Sequence, residues 1–418
     1  STLRSSSSAS DVYKRQLLFD KAPFKNCVVN GIILAEDGKK MSKRLQNYPD
    51  PTLVIKEYGA DALRLYLISS PAVRAENLRF SEQGVRDIVR GVLLPFWNVY
   101  SFFTTYANVD QYRPNDRVGQ SNNVLDRWII SRLQTLFAGI EREMGQYKLY
   151  AVVPALLEFL EDLTNWYVRR SRRRFWTEDV EDKQDGYNTL YLVLQQFSRA
   201  LAPFLPFVTE EVYRNIASLE RGLPDSVHLT DYPQENNELR DVQLESEMAL
   251  IIQTVSLGRA LRARLKLKTR QPLQSITVVT RNSDDADVLR KFEEHIEAEL
   301  NVKEVLFSAD EARLVEVNVL PNFPVCGPLF GKEMGQLKSA LAGLSADQVL
   351  ALEDGGSIEV LGRNLDLSHL EVRRVATDGA DIETSGGVTV FFDTVLSEEL
   401  VAEGRAREFV NRVQKMRK

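Results

Sequence analysis

Lys39, Lys40, Lys43 and Arg44 place four cations in six residues, just after the turn-forming pair Asp37-Gly38 and the apolar run Cys27 to Leu34. Cations on a loop that leaves a strand suit a triphosphate. They can follow the spread negative charge as the bond to a leaving group lengthens. Taken alone, the same residues also fit an ordinary solvated turn. A second basic cluster, Arg169, Arg170, Arg172, Arg173 and Arg174, runs between Trp166 and Trp176. Guanidinium groups interleaved with indoles suit RNA, the charge meeting phosphates and the rings stacking on unpaired bases. The bland alternative is a solvated helix face whose arginines pair with carboxylates such as Glu178 and Asp179. A third cluster makes six of the twelve residues Arg259 to Arg270 basic, among them Arg264, Lys266, Lys268 and Arg270. It could touch RNA as well.

These residues need elements to hold them. Residues 24–34 read as a strand interrupted at Gly31, and Asp37-Gly38 then gives a tight turn, which puts the lysines on a loop. Pro51 opens a helical region that stops at Ser70-Pro71, and residues 81–109 form a second helical stretch whose regularity suffers at Gly91 and Pro95. After a polar linker from Gln111 to Asn123, helical periodicity dominates. One face runs from Leu125 to Ile140, a second helix spans 147–176, a third opens at Leu190, and a fourth follows Pro203 and Pro206. The loops are short, which predicts an antiparallel bundle. On the second helix Leu156, Leu160, Leu163, Tyr167, Ser171 and Phe175 share one side. Arg169, Arg170, Arg172 and Arg173 spread over the other side, while Arg174 falls at the apolar edge and is expected to snorkel or pair inside the bundle. Beyond Pro233 come a long helix over 235–265, strand-like runs at Leu273 to Val279, Val302 to Phe307, Val317 to Val319 and Val388 to Phe392, a turn at Pro328 to Gly331, and an amphipathic helix from Ser397.

The chain has 418 residues, enough for roughly two to four domains with a core in each. Its formal net charge of −6 excludes a generally basic, nucleic-acid-coating protein, so any RNA must be met by local patches. Two cysteines, Cys27 and Cys326, and three histidines support neither a disulfide scaffold nor a zinc knuckle. We therefore expect a reducing compartment, no protein-bound zinc, and no membrane association.

Lys40-Met41-Ser42-Lys43-Arg44 resembles the second signature of class I aminoacyl-tRNA synthetases. Asn47, Asp50-Pro51 and Tyr58-Gly59-Ala60-Asp61-Ala62-Leu63-Arg64 resemble the sequence that trails it in the branched-aliphatic subgroup. Asn165-Trp166-Tyr167-x-Arg169-Arg170-Ser171-Arg172-x-Arg174-Phe175-Trp176 is similar to the anticodon-binding domain of the isoleucyl-tRNA synthetase family. Leu125-Asp126-Arg127-Trp128, Leu201 to Glu211, Leu261 to Leu273 and Glu299 to Lys303 extend the likeness over nearly everything after residue 17.

The resemblance implies a multidomain, mainly α protein. Residues 1–16 would be a disordered leader or sequence-end scar, and 17–60 the remnant of an α/β nucleotide-binding catalytic domain. Residues 61–120 would be a helical connecting region, 121–234 an all-α anticodon-binding bundle, and 235–418 a small α/β C-terminal domain with its linking helix. It implies a cytoplasmic, monomeric ligase that activates isoleucine with ATP and Mg2+ and transfers it to isoleucine tRNA. Lys40 and Lys43 would be catalytic. Lys40, Met41, Ser42, Lys43 and Arg44 would bind ATP. Trp166, Arg169, Arg170, Arg172, Arg173, Trp176, Arg264, Lys266, Lys268 and Arg270 would bind tRNA. The family's His-x-Gly-His signature and amino-acid pocket are expected upstream, so this chain alone should not form adenylate. A valyl or leucyl fragment, or a free-standing RNA-binding module, is the alternative.

Overall fold

The computed structural model describes residues 14, 16–21, 25–42, 44–45, 47–281, 283–308, 315–353, 355–376 and 381–417. Most of the expected leader lies outside them. The chain divides into two units, Ser1–Val242 and Gln243–Lys418.

In the first unit, Ile33–Leu34 forms a strand parallel to Leu78–Arg79. The apolar run 24–34 predicted a longer one. Among the described residues Leu78–Arg79 is the only strand beside it, and Val28, Val29 and Ile32 are more than half exposed. A strand extends only as far as a partner supplies hydrogen bonds to its backbone. Helix Pro51–Tyr58 starts where its punctuation says. The Asp50 carboxylate accepts from the Thr52 amide at 2.8 Å, and Pro51 fills a first-turn position that needs no N–H. Gly59, at φ +88°, turns the chain into helix Ala60–Ile68.

The aromatic stretch after Ser81 is one long helical run: Glu82–Ile88, a π-helical turn Val89–Leu93, then Leu94–Val109. Pro95 has no N–H to give the Gly91 carbonyl, and the wide turn sits where that bond is missing. Four further helical runs make the bundle: Val124–Gly145, Leu149–Glu161 continuing to Trp176, Val180–Leu201, and Pro206–Ala217. Trp128, Phe159, Leu163, Tyr167, Phe197 and Phe204 are buried among them. The third run begins ten residues before the expected Leu190, capped by Asp179, whose carboxylate accepts from the Glu181 and Asp182 amides at 3.1 Å. Its first turns escaped the apolar pattern because they bury polar groups. Asn188 accepts from the Tyr112 hydroxyl at 2.9 Å, and Asp185 pairs with Arg117 at 3.0 Å.

The second unit opens with helix Val242–Arg264 and a four-stranded sheet in the order Val302–Ser308, Leu273–Thr280, Val388–Phe392, Ile382–Ser385. The first pair is parallel, joined through helices Ser283–Lys291 and Glu293–Leu300, and the other pairs are antiparallel. Gly386-Gly387, both at positive φ, closes the last hairpin. A second cluster packs Val319, Cys326, Phe330, Leu337 and Leu365 around the antiparallel pair Val315–Pro321 and Leu370–Ala376. The turn expected at Pro328 to Gly331 is instead the end of helix Phe323–Phe330, with Gly331 as its C-cap. Burial of Cys326 and Phe330 outweighs the helix-breaking signal of Pro328. Helix Glu398–Met416 ends the described chain; Leu400 is buried, but Phe409 and Val410 are more than half exposed.

Candidate functional site

The lysine loop is built on a tight turn. The Gly38 amide bonds the Ala35 carbonyl at 2.8 Å, the Ala35 amide bonds the Lys39 carbonyl at 2.9 Å, and Gly38 sits at φ +79°. Asp37 accepts from the Lys39 amide at 3.0 Å and faces its ammonium at 3.2 Å. The Lys39 backbone amide first, and its charge as well, hold the Asp37 carboxyl below its ordinary value. The Lys39 side chain nevertheless stays three-quarters (75%) exposed, since a surface pair of this kind holds a lysine only weakly. Lys40 and Arg44 are exposed, whereas Met41 and Ser42 are half-buried. Met41 packs against the small core of Val54, Ala62, Phe80 and Val85. Lys43 lies outside the described residues. Beside the loop is a cleft of about 550 Å³ lined by Glu36, Met41, Asn47, Tyr48, Phe80 and Gln83 among others.

The arginine helix buries the predicted face. Leu156, Leu160, Leu163, Tyr167, Ser171 and Phe175 are all at most 3% exposed. Steps of four residues drift by about 40° each on an ideal helix. The π-helical turn Asp162–Val168 takes up that drift, and the segment then tightens to a 3-10 turn over Arg172–Trp176.

Arg174 turns inward, as its edge position predicted. Its two terminal nitrogens donate to the Asp126 carboxylate at 2.7 and 2.9 Å, and its Nε donates to Asp182 at 2.9 Å. Asp126 is fully buried and also accepts from the hydroxyls of Tyr167 at 2.7 Å and Ser121 at 2.6 Å. Burial, then the Asp126 charge, pushes the Tyr167 hydroxyl well above its usual value, so it remains a donor.

Outward, Arg169, Arg172 and Arg173 are exposed and Arg170 is half-buried. The Arg172 guanidinium stands 5.4 Å over Phe102, and that of Arg170 5.9 Å from Trp166. The two indoles part company. Trp176 is 55% exposed and meets Tyr106 edge-on, whereas Trp166 is 6% exposed. A ring that buried offers no face to a base. Trp166 therefore packs within the unit, the structural alternative to stacking. A groove of about 710 Å³ runs beside this helix, with Asn98, Phe102, Asn165, Arg169 and Arg172 among its lining.

In the second unit the basic stretch is partly spent on its own fold. Arg264 pairs with Glu383 at 2.9 Å, and Arg270 meets Glu408 at 3.5 Å and Asn411 at 3.1 Å. Arg262, 3% exposed, donates to the carbonyls of Lys268, Gln271 and Asn301 at 3.1–3.2 Å and lies 5.1 Å over Phe392. Burial lowers its pKa to about 10. Lys266 and Lys268 stand exposed on the loop it shapes, Lys266 at φ +56°.

Two further residues matter that composition did not single out. Asn47 bonds the loop backbone at two points. Asp61 caps helix Pro206–Ala217, accepting from the amides of Phe207 at 3.3 Å and Val208 at 2.7 Å, while Arg64 donates to the Pro203 carbonyl at 3.0 Å. Burial raises the Asp61 carboxyl against the pull of those amides.

Comparison with known proteins accounts for the layout. Residues 12–79 match the family described as tRNA synthetases class I (I, L, M and V), and residues 126–277 match the anticodon-binding domain of tRNA ligase. Both matches are to models of class I tRNA synthetases and their anticodon-binding domain. The chain also aligns with proteins named isoleucine--tRNA ligase. Those from Treponema denticola and Bdellovibrio bacteriovorus are 42% and 43% identical, each over 96% of this chain and 38% of the relative. That from Protochlamydia amoebophila is 41% identical over 96% of this chain and 39% of its own length. The chain thus spans under two fifths of the curated relatives it matches. Among its described residues, no helix is long and apolar enough to cross a membrane.

Proposed function

We propose that the chain is the part of an isoleucine-activating ligase that carries the ATP-phosphate loop and holds isoleucine tRNA. Residues 17–60 serve the catalytic domain, 61–120 connect it, 121–234 bind the anticodon end, and 235–418 form the C-terminal domain. The observation that carries the reading is the loop itself: a lysine signature rooted in the core through Met41, beside a cleft, with Lys40 and Arg44 exposed.

In the reaction, the isoleucine carboxylate attacks the α-phosphorus of ATP, presented with Mg2+, and the bond to pyrophosphate breaks. A hydroxyl of the terminal ribose of the tRNA then attacks the acyl carbon and AMP leaves. Both nucleophiles belong to substrates, so no Ser-His-acid arrangement is required. Lys40 and Lys43 neutralise the triphosphate as charge moves onto pyrophosphate, with Arg44 adding a contact. Met41 and Ser42 shape the loop. The arginine helix meets tRNA phosphates through Arg169, Arg170, Arg172 and Arg173, and Trp176 supplies the stacking face. In the second unit Lys266 and Lys268 are the stronger RNA contacts, because Arg264 and Arg270 already hold carboxylates.

The test is isoleucine-dependent ATP–pyrophosphate exchange in a full-length ligase carrying this segment. Lys43→Ala should depress it roughly 100-fold or more and Lys40→Ala should also depress it, with tRNA binding nearly unchanged. Equal rates for mutants and parent would remove the lysines from the mechanism.

A further inference from the structure

Asn47 reaches back across the lysine loop and grips it at both sides of Met41. Its Oδ1 accepts from the Ser42 amide at 2.9 Å, and its Nδ2 donates to the Lys40 carbonyl at 3.2 Å. The amide orientation follows from chemistry. An N–H needs an acceptor and a carbonyl needs a donor, so one orientation alone satisfies both. No single-function side chain can do this: a hydroxyl is too short to span two backbone groups, and a carboxylate has no proton to give. Below, Met41 is seated in the core of Val54, Ala62, Phe80 and Val85. Just beyond Asn47, Asp50 starts a helix with its own cap. The loop is therefore pinned from beneath by one side chain and across its neck by another, while Lys40 stays exposed.

We propose that Asn47 is a positioning residue for the phosphate chemistry of this loop. It fixes the backbone at Lys40 and Ser42 so that the lysine ammonium meets ATP without a prior ordering cost. The proposal rests on the ATP reading above. Catalytic groups held before the reaction lose less entropy when the transition state forms, so removing the clamp should show in ATP terms rather than in isoleucine binding.

Two measurements test it. On the 418-residue chain, Asn47→Ala should speed hydrogen exchange at the Ser42 amide roughly tenfold, the loss of one net hydrogen bond. Asn47→Asp, which keeps the acceptor for Ser42 but loses the donor for Lys40, should leave that amide slow. In a full-length isoleucine--tRNA ligase carrying this segment, both variants should lower kcat/KM for ATP by roughly 10–100-fold, with KM for isoleucine unchanged. Lys40→Ala is the control. If Lys40→Ala leaves pyrophosphate exchange intact, the ATP reading itself fails and the proposal falls with it. If Lys40→Ala cuts exchange while both Asn47 variants match the parent, the reading stands and the clamp is overturned. A fall in melting temperature with equal loss toward ATP and isoleucine would make Asn47 a structural residue and likewise overturn it.

Discussion

The arginine helix and the basic stretch of the second unit are alike in composition and unlike in use. In the first, one arginine turns inward to Asp126 and Asp182, and Arg172 and Arg173 stay on the surface. In the second, Arg262 is buried against carbonyls, and Arg264 and Arg270 are bound to carboxylates of their own unit. Charge density in a sequence thus counts cations without saying which are available. What separates the two is helical phase: a residue at the apolar edge is drawn into the fold and its neighbours one step round are left outside. On the second stretch the chain leaves its helix at Arg264, and the phase that would sort its residues is lost.

The sharpest way to break this comparison is to cut the inward anchor. Arg174→Ala should destabilise the first unit by about 3–5 kcal/mol, because it strands the buried Asp126 carboxylate. A urea titration that shifts by less than about 1 kcal/mol would mean that the arginine ridge is not held by this network. Next come the indoles. Trp166→Ala should cost about 3–5 kcal/mol of stability as a cavity in the core. Trp176→Ala should leave the melting temperature in place and weaken tRNA binding by ~1–3 kcal/mol. The reverse pattern would exchange their roles.

A smaller effect sharpens the comparison directly. Arg172→Ala with Arg173→Ala should weaken tRNA binding and flatten its salt dependence by about one to two units of slope. The pair Arg264→Ala with Arg270→Ala should change both less. Equal slopes, measured by fluorescence titration over several salt concentrations, would show that intramolecular pairing does not withhold an arginine from RNA.

The smallest effect concerns pH. Burial raises the Asp162 carboxyl to about 6, although Arg132 donates to it at 2.9 Å. The folded chain then holds this proton to higher pH than the unfolded chain does. The stability it contributes is present below the unfolded value and is lost as pH rises through about 6. Carbon-detected titration of Asp162 should show a midpoint in that region. One near the ordinary carboxylate value would mean that Arg132 outweighs burial.

Where a helix buries an apolar stripe, its face was legible, as Leu156 to Phe175 shows. Where it buries amides and carboxylates, as at Asp185 and Asn188, the first turns were invisible to apolar periodicity. The short strands Ile358–Val360, Arg363–Leu365 and Ile382–Ser385 carry too few residues for an alternation to register. The lysine loop and the arginine ridge announced themselves by composition. Asn47, Asp61 and Asp126 did not, since a cap or clamp is defined by its partner, and nothing near Asp61 in sequence points to Val208. All three stood in the sequence only as members of the stretches that carry the family resemblance, with no partner or role attached.

The Asp61 cap has a consequence for how the molecule can be divided. Its carboxylate serves amides 146 and 147 residues further along, from a helix outside the expected bundle boundary at residue 121. A bundle excised at that boundary would expose two donors at the head of helix Pro206–Ala217, at a cost of about 1 kcal/mol for the lost cap. The same two bonds close a very long chain loop, a cost that grows only slowly with length. Truncation should therefore obey a seam that runs through space at Asp61, not the linker that punctuates the sequence.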